Sequence, residues 1–162
     1  MALATTVKSW LKGLFGTHAQ FPVSTVDVNT DVDRIYRRSK SFYHASAENA
    51  ATNVATTYIG YVHTNVRIIA ARYIPGGSLT ANAANYAVLR VLSGNGGAAA
   101  TTVIANVATT ATNMAAGVAY TLDVVSANEL IAGGSTLAFN IGKVGTGQDV
   151  PAGSVEVILE EV

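Results

Sequence analysis

From Ser39 onward the chain alternates short apolar-rich runs with small polar loops. Eight runs, at 39–45, 56–62, 65–74, 85–92, 101–109, 117–125, 135–143 and 154–161, read as short β-strands. The strongest pair lies within VRIIAARYIPGGSLTANAANYAVLRVL, from Val66 to Leu92. On an extended chain Val66, Ile68, Ala70 and Arg72 share one side and Arg67, Ile69, Ala71 and Tyr73 the other. Both sides are largely apolar, as in a strand covered on both faces. Pro75-Gly76-Gly77-Ser78 stops it, because proline donates nothing to a ladder and glycine admits positive φ. No helical pattern of about 10–15 residues separates the runs, which argues against a parallel α/β sheet. Eight short strands with regular turn signals predict an all-β jelly roll or β-sandwich. The Ala/Asn-rich loops 46–55 and 79–85 each have room for a helical turn.

A small-residue turn ending in Ser recurs at Pro75–Leu79, Ala132–Leu137 and Pro151–Val155. The last two lead directly into alternating runs. This is repeated turn chemistry without the longer common period of a repeat protein.

Residues 1–38 follow a different grammar and are read as an amino-terminal arm, with the β domain at 39–162. Leu3, Val7, Trp10, Leu11 and Leu14 recur at helical spacing opposite Lys8 and Lys12, and Gly16 follows, predicting one short amphipathic helix. Phe21 to Asp33 alternates Val26, Val28, Thr30 and Val32 with Asp27, Asn29, Asp31 and Asp33. The acidic series begins like a calcium loop, but its sixth position is Val32 instead of glycine and its twelfth is Arg38 instead of glutamate. A polar strand face fits better, followed by a basic connection, Arg34 to Lys40, placed to pair with those aspartates. The amino terminus has no basic leader before an apolar core and no apolar run near the length of a span. The expectation is a protein made in a cytosol and used or assembled there.

Composition sharpens this picture. Hydrophobic residues make up 49% of the 162 and aromatics 7%, so most apolar side chains are small. They favour thin, closely packed layers over a large aromatic-lined pocket. Charged residues are only 12% and cancel to zero net charge, a surface that calls for cover by partners. The charges are unevenly placed: residues 1–72 hold eight Lys/Arg against four Asp/Glu, and the remainder two against six. No basic stripe with interleaved aromatics accompanies this, so no specific nucleic-acid partner is expected, and the short helix is too small for a membrane anchor.

The residues offer little chemistry. Without cysteine there are no disulfides, thiolate metal sites or thiol nucleophiles. His18, His44 and His63 are too scattered for a helical metal motif; His44 and His63 lie beside tyrosines and read as hydrogen-bonded structural groups in strands. There is no G-x-S-x-G mount for a serine nucleophile and no G-x-x-x-x-G-K phosphate loop. Ser93-Gly94-Asn95-Gly96-Gly97-Ala98-Ala99 shares part of a dinucleotide-loop pattern, but β-branched alternation follows it where a helix belongs, so it reads as a hairpin loop. The adjacent Glu160-Glu161 pair reads as solvated charge. No catalytic, cofactor or metal residue is assigned, and no enzyme is expected.

Three segments carry a family resemblance: Ala71 to Val91 (A-x-Y-I-P-G-G-S-L-T-A-N-x-x-N-Y-A-V-L-R-V), Ala132 to Leu137, and Gly145 to Val157 (G-x-G-x-x-V-P-A-G-S-V-E-V). In these the chain resembles the capsid decoration, or cement, proteins of tailed bacteriophages, over roughly residues 40–162. The resemblance implies a jelly-roll or related β-sandwich on the outer capsid surface, commonly trimeric, with the major capsid protein as partner. It transfers no catalytic or binding residue. Trp10, Leu11, Leu14 and Phe15, with the basic Arg34, Arg37 and Arg38, are the expected partner contacts. The alternative from another class is a receptor- or glycan-binding β-sandwich of a tail fibre or adhesin, which calls for exposed aromatics with Asp or Asn on loops.

Overall fold

The computed structural model describes residues 37–44 and 55–162. Its strands are β1 (Arg37–His44), β2 (Ala55–Val62), β3 (Val66–Pro75), β4 (Tyr86–Gly94), β5 (Thr102–Ala108), β6 (Tyr120–Val124), β7 (Leu130–Ile131), β8 (Ser135–Val144) and β9 (Gly153–Glu161). The eight strands predicted from Ser39 onward are all present; among the described residues only the two-residue β7 is additional. The fold is all-β, and every pairing between named strands is antiparallel.

Leaving β7 aside, the first strand pairs with the last (β1 with β9), β2 with β8, β3 with β6 and β4 with β5. This nesting is that of one long hairpin rolled up on itself. Rolling brings β9 beside β3 and β8 beside β4, giving the order β1-β9-β3-β6-β5-β4-β8-β2. One layer is β1-β9-β3-β6 and the other β5-β4-β8-β2. β6 joins them, pairing with β3 through residues 120–122 and with β5 through 123–124. The domain is a jelly roll, as the strand count and turn spacing predict.

The core lies between the layers. β3 and β9 contribute Val66, Ile68, Ala71, Tyr73, Val155, Val157 and Leu159; β4 and β8 face them with Leu89, Val91, Leu137, Phe139 and Ile141. Tyr73 is fully buried and stacks on Phe139 across the layers, centroids 5.8 Å apart at 13°. Its hydroxyl donates to the Pro151 carbonyl oxygen. Burial raises its phenol pKa well above the usual value.

β-Bulges break the alternation in three strands. The register of β3 shifts between Ile68 and Ala70, that of β2 between Tyr58 and Gly60, and that of the β4–β5 pair between Val91 and Leu92. In β3 the extra residue, Ile69, puts Val66 and Ile68 inward together with Ala71 and Tyr73, a set that strict alternation assigns to two faces. The expectation that β3 is covered on both faces is therefore corrected. Its outer side, carrying Arg67, Ile69, Ala70, Arg72 and Ile74, is half-buried or exposed. There Arg72 donates to Glu156 at 3.2 Å, and Arg67 lies 3.4 Å from Glu129 without hydrogen-bond geometry. The strand buried on both faces is β8. Its outer side is covered where Leu92, Ala100 and Ala138 cluster with Val103 under the 95–101 connection.

The turns also differ in detail from their prediction. Gly76 and Gly77 are not among the glycines at positive φ. Gly76 is required by close approach instead: its N–H donates to the Ala152 carbonyl at 2.6 Å, and a Cβ there would lie 2.8 Å from the same oxygen. Loop 79–85 holds no helical turn, because Leu79 bridges Met114 through paired 2.8 Å backbone bonds and Asn82 caps the amides of Ala84 and Asn85. Short 3₁₀ turns occur at Asn95–Gly97 and Ser126–Asn128. Arg37 to Lys40, predicted as a connection, forms the first half of β1, in register with residues 160 down to 157 of β9. The predicted helix at Leu3–Leu14, the acidic segment 21–33 and most of loop 46–55 lie outside the described residues.

Candidate functional site

Among the described residues β2 is the edge strand of its layer and pairs only with β8. Its bulge at Ile59 decides what it presents. Tyr58 lies opposite Ala138 and Tyr61 opposite Thr136, both on the outer face, while Ile59 and Val62 enter the core. Without the extra residue, a spacing of three would send the two tyrosines to opposite faces. Both rings are open to solvent, Tyr58 at 61% and Tyr61 at 43%. His63 follows in the same direction, exposed, and meets Tyr61 edge to face with centroids 4.9 Å apart. Three aromatic rings thus form a row along one edge of the sandwich.

Beside the row is a cleft of about 150 Å³ where the chain crosses from β2 to β3. Val62, Val66 and Leu159 supply its apolar wall, and Tyr61, His63, Thr64 and Glu161 its polar side. The crossing is fixed by the turn before β8: the Gly134 N–H donates to the Val62 carbonyl at 2.7 Å, and the Gly133 N–H to Asn65 Oδ1 at 2.9 Å.

Of the predicted contact residues, Trp10, Leu11, Leu14, Phe15 and Arg34 lie outside the described residues, as does His18. Arg37 and Arg38 open β1, in register with Glu160 and Leu159. His44 ends β1, whereas His63 is in the β2–β3 connection instead of a strand and is exposed. Ser93 to Ala99 does join two antiparallel strands, β4 and β5, as a hairpin loop. Among the described residues no group of three or more His, Asp or Glu is placed to hold a metal ion, and no helix is long and apolar enough to cross a membrane. The sequence reading missed Tyr58 and Tyr61. The one signal for them is Gly60, since an isolated glycine inside a strand pattern marks a bulge.

Fold and site together define a jelly-roll domain with an aromatic row on an open edge. No protein-family model and no curated protein matches the chain. Among solved structures it is similar to a chain described as "Structure of infectious bursal disease virus Gx strain", with a TM-score of 0.34 and 12% identity, over 77% of this chain and 32% of that one. The chain therefore spans about a third of that neighbour's length, and nothing about function follows from a likeness of this size.

Proposed function

We propose that this protein is a non-enzymatic capsid decoration protein of a tailed bacteriophage, made in the host cytoplasm, that binds the outer surface of the shell and stabilises it by bridging subunits of the major capsid protein. The observation that carries the reading is how the segments of the family resemblance meet in the fold. Ala71–Val91 and Gly145–Val157, far apart in sequence, interlock at one end of the jelly roll: Tyr73 pairs with Val155, Ile74 with Ser154 and Pro75 with Gly153, and Gly76 and Tyr73 bond to the Ala152 and Pro151 carbonyls. Ala132–Leu137 sets the β2–β3 crossing at Gly134. The shared motifs are thus the joints of the frame, as expected where architecture is what a family has in common. A shell gains resistance from each added interface that must break before its subunits separate, and a multivalent binder supplies several at once.

Cryo-imaging of shells mixed with the protein tests this: saturating, symmetric occupancy of the exterior is the expected result, and sparse or absent occupancy overturns it. The anchors proposed for attachment are Trp10, Leu11, Leu14 and Phe15, with Arg34, Arg37 and Arg38 steering the approach. Deleting residues 1–20 is accordingly expected to abolish shell binding and leave the melting temperature unchanged; a deletion that binds normally, or melts early, counts against these anchors. A homotrimer is the proposed assembly, because a sparsely charged surface gains from closed symmetry. Light scattering is expected to give three times the 16.7 kDa chain mass at micromolar concentration, and a monomer mass refutes it.

A further inference from the structure

We propose that Asn95, at the tip of the β4–β5 hairpin, is a site of covalent self-modification, where the side-chain amide is lost to attack by the next backbone nitrogen and aspartate and isoaspartate replace it. Of the eleven asparagines, Asn95 alone precedes a glycine. Asn65, Asn106 and Asn140 precede Val or Ile, whose branched side chains crowd the nitrogen that would attack. Six of the described asparagines are also tied down. Asn65, Asn82, Asn85 and Asn113 accept from backbone amides through Oδ1, and Asn128 and Asn140 donate through Nδ2. The Asn95 side chain makes no such bond among the described residues, and both it and Gly96 are exposed. Gly96 stands at φ 59°, with no atom beyond its chain neighbours within 4 Å of where a Cβ would be.

The chemistry needs only water. The Gly96 nitrogen, unscreened by any side chain, attacks Asn95 Cγ as its proton passes to solvent. The Cγ–Nδ2 bond breaks, the nitrogen takes a proton back from solvent and leaves as ammonia, and a cyclic imide remains. Water then opens the ring. Cleavage between Cγ and the Gly96 nitrogen leaves aspartate. Cleavage between the Asn95 carbonyl carbon and that nitrogen leaves isoaspartate, whose main chain runs through Cβ and Cγ and is one atom longer. One water is consumed, one ammonia is released, and a chain of zero net charge gains one negative charge. Attack requires the Asn95–Gly96 peptide to turn, against a 3.0 Å bond from the Ala98 N–H to the Asn95 carbonyl. A lone 3₁₀ bond in an exposed turn opens readily.

The longer main chain disturbs what this connection covers. Gly94 packs so closely that a Cβ there would overlap the Ala98 carbonyl oxygen and lie 2.7 Å from that of Ala99, and Thr136 donates to the Ala98 carbonyl at 3.2 Å. An atom added at residue 95 displaces these contacts and loosens Ala100 from Leu92, Ala138 and Val103.

Ageing the full chain at mildly alkaline pH, with charge-resolved chromatography and peptide mass spectrometry, tests this. The expected result is an isoform more acidic by one charge, mapped to residue 95 and containing isoaspartate, with ammonia released in equal amount. Asn95→Gln, which must close a larger ring, is expected to lose that isoform. Hydrogen exchange at Ala100 and Val103 is expected to quicken in the isoaspartate form and to stay at its original rate in fresh Asn95→Asp, which carries the charge on an unlengthened chain. An aged protein that keeps its charge, a first modification at another asparagine, or an acidic isoform undiminished in Asn95→Gln overturns the proposed site; unchanged exchange in the isoaspartate form overturns the loosening.

Discussion

Replacing Tyr73 by Ala is expected to lower the free energy of unfolding by about 3–5 kcal/mol, the range for emptying an aromatic site in a packed core. Tyr73 is fully buried between the layers and stacked on Phe139, so the vacated space borders β3, β8 and the 151–153 turn and cannot close by moving one element. Tyr73→Phe isolates the hydroxyl. It keeps the ring and leaves the Pro151 carbonyl without this donor, at an expected cost of about 1–3 kcal/mol. The two variants also differ from the wild type in their dependence on pH. Burial holds the folded-state phenol pKa above its unfolded value near 10. The contribution is therefore present in full below about pH 10 and is lost as the pH rises beyond it, where the unfolded chain releases a proton that the folded chain retains. Urea melts between pH 8 and 11 are expected to show a steeper alkaline loss for the wild type than for Tyr73→Phe; equal slopes would contradict the assignment.

Gly153→Val is expected to cost at least about 3 kcal/mol, at or beyond the upper end for overpacking a core, because the obstacle is backbone. A Cβ at this position would lie 2.4 Å from the Ile74 carbonyl oxygen and 3.0 Å from both Pro75 Cα and the Tyr73 ring. Gly153 begins β9 and pairs with His44 on one side and Pro75 on the other, so relief would require parting β9 from β3. Differential scanning calorimetry reads the effect, and an unchanged melting temperature would show that the approach of the two strands is looser than described.

These two sites bear on how far the fold was legible. The strands were, because short apolar-rich runs alternate with small polar loops and no helical period intervenes; observed and predicted ends agree within three residues. The nesting of pairs follows from strand number and turn spacing only through the general habits of β-sandwiches. What alternation could not supply was phase. Ile59, Ile69 and Ile104 are ordinary strand residues, yet each is the extra residue of a bulge, and after it inside and outside exchange. That exchange makes Tyr73 a core residue on the same side as Ile68, and it hides Tyr58 and Tyr61, whose spacing of three reads as one ring in and one out. Cover over β8 was equally invisible, since it comes from the 95–101 connection returning over the sheet through contacts of Ala100 and Val103. In Gly76 and Gly153 the residue type was read correctly as punctuation, but its cause is a neighbouring carbonyl and not a left-handed turn.

The nested pairing imposes a chronology on folding. The hairpin of β4 and β5 joins neighbours across one short connection, whereas β1 must find β9 across most of the chain. Each further pair closes a larger loop whose entropy is lost before its contacts are gained. Assembly that starts at the inner hairpin and works outward closes small loops first, and leaves β1 as the last strand to join, at the rim of its layer with β9 as its one neighbour among the described strands. The same strand is then the first to peel away, exposing the free edge of β9 to any other chain that offers a matching strand. Until β1 arrives, a newly made copy carries an open docking edge, and two unfinished copies can complete each other by exchanging that strand.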